Sequence, residues 1–373
     1  MKFCVIGTNK AAFSLLRELA GSSQHSLSAC AIDGGLFDSA AAAEISVRLA
    51  SSAEEALLET GVDVVVLATV DPEETLRLSR AASQADRHIV VIPPDSCSPA
   101  FSFELHLVLD ESRYSIIPLT GRYSLVALPA AELSFSLDAR QTLQLAAELS
   151  VADFSRDTIR SRVQQGLDIL SASGFRYTQV TALESRAPDG SFLSLLITLN
   201  SHPSAEQALP PATLTLRPAA ILPGGESMLR ITRSDGTTQN AVISDSAAAV
   251  SRIESLCSDR ASCSQWMESF SATLELAEAV EKSVRRRRTV DVHFDTGSER
   301  GVFKSQMTAI GCGILTYMMV WMVAYLIVAQ LTELPTWMLH VARVAWIAPL
   351  VIFLIAQALL PVARRRSSQP GRE

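Results

Sequence analysis

The residues Gly7-Thr8-Asn9-Lys10-Ala11-Ala12 follow a short apolar run, Lys2 to Ile6, and open a helical pattern. In a dinucleotide-binding turn the first glycine permits a tight reversal, and a second lets the backbone approach the pyrophosphate. A third small residue allows close helix–strand packing. Gly7 and Ala12 fit the first and third roles, and Asn9 occupies the second. Asparagine tolerates left-handed backbone better than most residues, so the turn is compatible with it. Its side chain, however, crowds the phosphate path. Lys10 offsets part of that loss by placing positive charge beside a helix N-terminus. Asp33, 26 residues after Gly7, is spaced to accept hydrogen bonds from a ribose 2′-hydroxyl and to repel a 2′-phosphate, which favours NAD over NADP. Asp33 reads equally well as a turn residue before Gly34-Gly35, and the loop as a dinucleotide site or the structural remnant of one.

Other chemistries find no support in the sequence. No P-loop, nucleophile–base triad or zinc motif is present, and His25, His88, His106, His202 and His293 lack ligand spacing, so no metal is expected. The six cysteines form no C-x-x-C pair and read as free thiols in a reducing compartment. A net charge of −7 argues against a nucleic-acid surface.

The elements that must position the turn alternate in type. Lys2–Ile6, Ser26–Ile32, Asp63–Leu67, His88–Ile92 and Ser115–Ile117 read as strands. Helices are expected over about Ala11–Ala20, Ala53–Thr60, Pro72–Ser83 and Ser102–Ser112. This alternation predicts a Rossmann-type, doubly wound parallel sheet that binds ligands beyond the carboxyl ends of its strands. Further on, Phe192–Leu199, Thr213–Leu216, Met228–Thr232 and Gln239–Ile243 read as strands separated by turn signals. Trp266, Phe270, Leu274, Ala277 and Val284 recur at helical spacing and mark a helix with one apolar face.

The order of these segments resembles the Gfo/Idh/MocA family, named for glucose–fructose oxidoreductase, inositol dehydrogenase and a rhizopine-catabolism protein. The resemblance rests on Val5-Ile6-Gly7, the strand from Asp63 to Thr69, and His88-Ile89-Val90-Val91-Ile92-Pro93-Pro94 in place of the family's H-V-x-x-E-K-P segment. Arg122-Tyr123, Gln165-Gly166-Leu167-Asp168 and the Glu275–Ser283 helix with the Arg288–Val292 strand complete it, over roughly residues 1–295. It implies a dinucleotide-binding domain over 1–120, with Gly7, Thr8, Asn9, Lys10, Ala12, Asp33 and Thr69 at the cofactor, and an α+β domain with a largely antiparallel sheet over 121–297. It also implies hydride exchange between NAD and a small hydroxylated substrate. The family's acid–base groups are missing. Pro93 stands where its lysine belongs, Ile92 replaces the glutamate, and Ser161 and Gln165 fall at the carboxylate and histidine positions. The chain's four lysines all lie elsewhere, and no histidine occurs between His106 and His202. Neither proline nor glutamine can act as a general base. Arg122 and Asp168 remain as weak catalytic candidates, and a non-catalytic nucleotide- or ligand-binding scaffold is the alternative to an enzyme.

The C-terminal region is of another kind. Met307–Leu331 and Val344–Ala363 carry no charge over 25 and 20 residues. About 20 apolar residues of helix cross a bilayer core. A transmembrane hairpin is expected over 306–363, with spans at about 307–331 and 341–363. Arg285–Arg288, Arg300, Lys304 and Arg364–Arg366 flank it, so both termini and the soluble domains are expected in the cytoplasm and the Thr332–Thr336 turn outside. The expected partners are the lipid bilayer, a small hydroxylated ligand, and a second copy of the chain or a membrane partner protein.

Overall fold

Strand β1 (Lys2–Gly7) is apolar from Phe3 to Ile6 and buried over Phe3–Gly7, because its sheet is covered on both faces. Helix α1 (Ala11–Gly21) follows, then β2 (Ser26–Ala31), α2 (Ala53–Leu58) and the fully buried β3 (Val64–Ala68). Next come α3 (Pro72–Gln84), β4 (His88–Val91), α4 (Pro99–Glu111) and β5 (Ile116–Pro118). The five strands are all parallel in the order β2-β1-β3-β4-β5. Helix α4 begins at Pro99 rather than near Ser102, because proline at a first helical position has no amide to leave unpaired and its fixed φ suits the helix.

The second sheet has eight strands in the order β13-β8-β9-β10-β7-β11-β12-β6 among the described residues. These are β6 (Leu125–Val126), β7 (Thr142–Val151), β8 (Gln179–Arg186), β9 (Phe192–Asn200), β10 (Ala212–Pro218), β11 (Ser227–Arg233), β12 (Thr238–Ile243) and β13 (Val290–Asp291). All pairings are antiparallel except β7 with β10. Strands β7 and β8 were not expected from the sequence. Helix α5 (Arg156–Ser171) lies on this sheet through Gly166, where a Cβ would come within 2.4 Å of Leu214 and 2.8 Å of Leu149.

Helices α6 (Val250–Ser258) and α7 (Arg260–Arg286) tie the two sheets together. Cys263, Met267, Phe270 and Leu274, from the start to the middle of α7, belong to the core around the first sheet. Leu276, Ala277, Ala279 and Val280 belong to the core of the second. Phe270 is therefore a core residue, and Trp266 packs at the edge of that core under the Arg252 guanidinium.

The computed structural model describes residues 1–7, 11–31, 50, 52–59, 61–121, 125–126, 141–201, 209–220, 227–243, 250–292, 316–323 and 346. Its two compact units are Met1–Gly297 and Ser298–Glu373. In the second unit, residues 316–323 are helical, with Tyr317, Met319, Val320, Met322 and Val323 exposed. The Trp346 indole donates a hydrogen bond to the Met318 carbonyl at 3.1 Å. Among the described residues no helix is long and apolar enough to cross a membrane, and most of both expected spans lies outside them.

Candidate functional site

In a sheet ordered β2-β1-β3-β4-β5 the chain leaves β1 toward one edge and returns from β2 to the other side, at β3. The crevice between the carboxyl ends of β1 and β3 is the topological switch point, where ligands of such sheets bind. Gly7 ends β1 there, paired in register with Ala68 of β3. Its φ of +124° lies in a region that L-residues rarely adopt. A Cβ at this position would sit 2.3 Å from the Ala68 carbonyl and 2.7 Å from the Thr69 amide nitrogen. Both the turn and the contact demand glycine, which is the role expected of the first glycine in the motif. Ala12 is buried within α1, as the third small residue should be.

Helix α1 has no acidic residue in its first turn. Its positive pole is thus not offset by its own side chains, in contrast to α3, whose first turn holds Glu73 and Glu74. Thr69 follows β3, with its hydroxyl against that of Thr75 and donating to the Asp71 carbonyl at 3.3 Å. Asp71 caps α3 through the Glu73 amide at 3.1 Å. Thr8, Asn9, Lys10 and Asp33 lie outside the described residues. For a bound dinucleotide, the residues in place therefore fit at the turn and at the start of α1.

A second part of the site forms where loops of the first sheet meet α5. After β4 the chain runs through Pro93 and Pro94 into a turn closed by the Cys97 amide on the Pro94 carbonyl at 3.1 Å. The buried Cys97 Sγ lies 3.5 Å from Gln164 Oε1, and Gln164 Nε2 donates to the Cys97 carbonyl at 3.3 Å. Beyond β5, a Cβ on Gly121 would meet the Gln165 carbonyl at 2.4 Å. The segments after β4 and β5 thus meet the same stretch of α5, at Gln164 and Gln165 respectively. Gln165 Oε1 accepts from Arg162 Nη1 at 2.5 Å.

The chemistry available at this junction is limited. Burial pushes the Cys97 thiol up to about 12, so it stays protonated and is a poor nucleophile at neutral pH. No lysine or histidine occurs in segments 92–97 or 119–121 or in α5. Asp168 is on the buried side of α5, 1% exposed. Arg122 and Tyr123 lie outside the described residues. Two features escaped the sequence reading. One is the Cys97–Gln164 pair, which links residues 67 apart; the other is Thr120, whose hydroxyl is buried without a hydrogen-bond partner among the described residues. A lone cysteine in a Pro-Pro-Asp-Ser-Cys segment carries no local signal that would have revealed it. Among the described residues no group of three or more His, Cys, Asp or Glu side chains is placed to hold a metal.

No family model matches the chain, and no curated protein matches it in sequence. Solved structures do match. The myo-inositol dehydrogenase of Corynebacterium glutamicum superposes with a TM-score of 0.62 at 14% identity, over 79% of this chain and 99% of the other. The Lactobacillus casei myo-inositol dehydrogenase, solved with NAD(H) and myo-inositol, gives 0.58 at 14% identity, over 79% and 98%. GenD2 from gentamicin A biosynthesis, solved with NAD, gives 0.63 at 13% identity, over 79% and 96%. At these identities the likeness is one of fold: over 79% of its length this chain shares the two-sheet architecture of these solved structures.

Proposed function

We propose that this chain binds NAD at the β1/β3 switch point, on the cytoplasmic side of a membrane that its C-terminal hairpin spans, and does not perform lysine–histidine hydride transfer. The observation that carries the nucleotide reading is Gly7, held at positive φ with its Cα against the Ala68–Thr69 backbone. Solved proteins of this fold with NAD in place support it. Asn9, Lys10 and Asp33 complete the site in this reading, with Asp33 selecting NAD over NADP. Bound NAD would supply a nicotinamide ring able to accept or return a hydride. Among the described residues at the α5 junction, Pro93 and Gln165 do not titrate and burial pushes the Cys97 thiol up to about 12, so none of these three is suited to move the accompanying proton. The small hydroxylated ligand is placed by this reading at the α5 junction, beside Thr120 and Gln165.

The membrane reading rests on the two uncharged runs and on what the second unit shows of them. Five large apolar side chains stand exposed on residues 316–323, an arrangement suited to lipid rather than water. The hydrogen bond from Trp346 to Met318 joins one residue of the second run to one of the first, which is compatible with a hairpin.

The test is calorimetric titration of the detergent-solubilised full chain with NAD and NADP. Binding of NAD that is lost on Gly7→Ala supports the nucleotide reading. Silence toward both nucleotides leaves the alternative, a scaffold that holds another ligand or a membrane protein. Resistance of the chain to alkaline carbonate extraction from membranes tests the anchor separately.

A further inference from the structure

The C-terminus of α7 carries four consecutive arginines, Arg285 to Arg288, all exposed. Their surroundings are unusual for so acidic a chain. Neighbouring carboxylates are committed elsewhere: Glu278 pairs with Lys282, Glu281 with Arg156 and Arg160, and Asp291 accepts from Gln179 at 3.0 Å. None of the four forms an ion pair with a described carboxylate, whereas Arg77, Arg80, Arg186 and Arg217 all do. Arg287 takes the left-handed cap at φ 51°, a conformation that glycine or asparagine adopts more easily. The reversal at that cap sends the chain into β13 while Ser283 Oγ donates to the Arg288 carbonyl at 2.7 Å, which fixes the turn that bears the charges. In sequence only residues 293–306 separate Val292 from the apolar run at Met307, and they include Arg300 and Lys304.

We infer that Arg285–Arg288 form a docking surface for the phosphate-bearing headgroups of anionic lipids in the bilayer that holds the hairpin. The inference rests on the membrane reading above and adds to it a lipid class and a set of contacts. Guanidinium groups suit this role because each offers paired donors to phosphate or carboxylate oxygens and stays charged throughout the physiological range. A basic residue near an anionic surface contributes on the order of fivefold to partitioning, and less as salt rises.

The experiment reconstitutes the full chain into phosphatidylcholine bilayers containing about one quarter phosphatidylserine and counts the headgroups retained by the protein after gentle detergent extraction, by mass spectrometry. Phosphatidylserine should be enriched roughly tenfold over phosphatidylcholine at low salt. R285Q/R286Q/R287Q/R288Q should abolish the enrichment, and the corresponding four-lysine variant should keep most of it. Unchanged enrichment in the glutamine variant would overturn the assignment. So would displacement of the bound headgroups by inorganic phosphate at constant ionic strength, which would make free phosphate the ligand. Pure phosphatidylcholine bilayers separate the two readings. A chain that resists carbonate extraction from them but shows no headgroup preference in the mixed bilayers keeps its anchor and loses this surface. A chain that carbonate strips from them, yet which enriches phosphatidylserine through the arginines, loses the anchor and keeps the surface.

Discussion

Replacing Gly7 by alanine tests the site and the fold together. The added methyl would lie 2.3 Å from both atoms of the Ala68 carbonyl and 2.7 Å from the Thr69 nitrogen, all of them backbone and unable to swing aside. Relief requires β1 and β3 to separate at their carboxyl ends, where Gly7 pairs with Ala68. Overpacking of this kind costs about 1–3 kcal/mol, and a non-glycine residue at positive φ adds roughly 1–2 kcal/mol. About 3 kcal/mol is a reasonable centre, and in a unit of this size it lowers Tm by roughly 5 °C. Because the strain falls on the loop that would cradle the pyrophosphate, NAD affinity should fall by at least tenfold even in the fraction that remains folded. Intrinsic-fluorescence melting of the detergent-solubilised chain, with and without NAD, reads both effects. A bound ligand raises Tm by mass action, so the wild type should shift upward with NAD and the variant should not. An alanine variant that melts like the wild type and keeps its NAD shift would refute the geometric argument at Gly7 itself.

Asn9→Gly should tighten NAD binding severalfold by clearing the phosphate path, and Asp33→Ala should narrow the preference for NAD over NADP; titration of each variant checks both. Stability should fall as pH rises above about 9, where the unfolded chain ionises its thiols while burial holds folded Cys97 and Cys257 up to about 12. Each such group can contribute up to about 1.4 kcal/mol per pH unit across that window, and Cys97→Ala should flatten the alkaline limb in urea titrations at pH 8 to 10. Turnover of polyols, sugars and hydroxy acids, followed by nicotinamide absorbance, should stay far below about 10 s⁻¹. The Pro93→Lys plus Gln165→His variant should not restore it, since reacting groups also need accurate placement. In intact cells lacking the native cysteines, Thr336→Cys should react with an impermeant thiol reagent and Ser368→Cys should not; the reverse pattern would overturn the proposed orientation.

The parallel sheet was legible because its strands are short apolar runs bounded by turn residues, as in Asp63-Val64-Val65-Val66-Leu67. Strand β7 was not, although Leu145, Ala147, Leu149 and Val151 alternate inward along it. Its outward residues include Leu143 and Ala146, so polar alternation is blurred where the signal was needed. Strand β8 ends in a charged stretch, Glu184 to Arg186, that hides its pairing with β9. At the candidate site, the steric need for glycine at position 7 and the burial of Ala12 were legible from spacing alone, because the turn imposes local steric demands. The meeting of Cys97 with Gln164 and of Gly121 with Gln165 could not, since both join segments far apart in sequence. The one parallel pair among the described strands of the second sheet, β7 with β10, follows from a long connection that no local pattern announces.

The division of α7 between two cores has a consequence for how the chain is made. The first sheet is complete in sequence at Pro118, but its core also needs Met267, Phe270 and Leu274. During synthesis at about 5–20 residues per second, those side chains arrive roughly 10 to 30 s after the last strand of that sheet. For that interval the face that α7 will cover is exposed on the nascent chain, and the second sheet grows beside it. Folding of the first sheet is thereby delayed until the second is almost finished, so a ribosome-bound chain halted near residue 200 should recruit chaperones more strongly than one halted after Arg286.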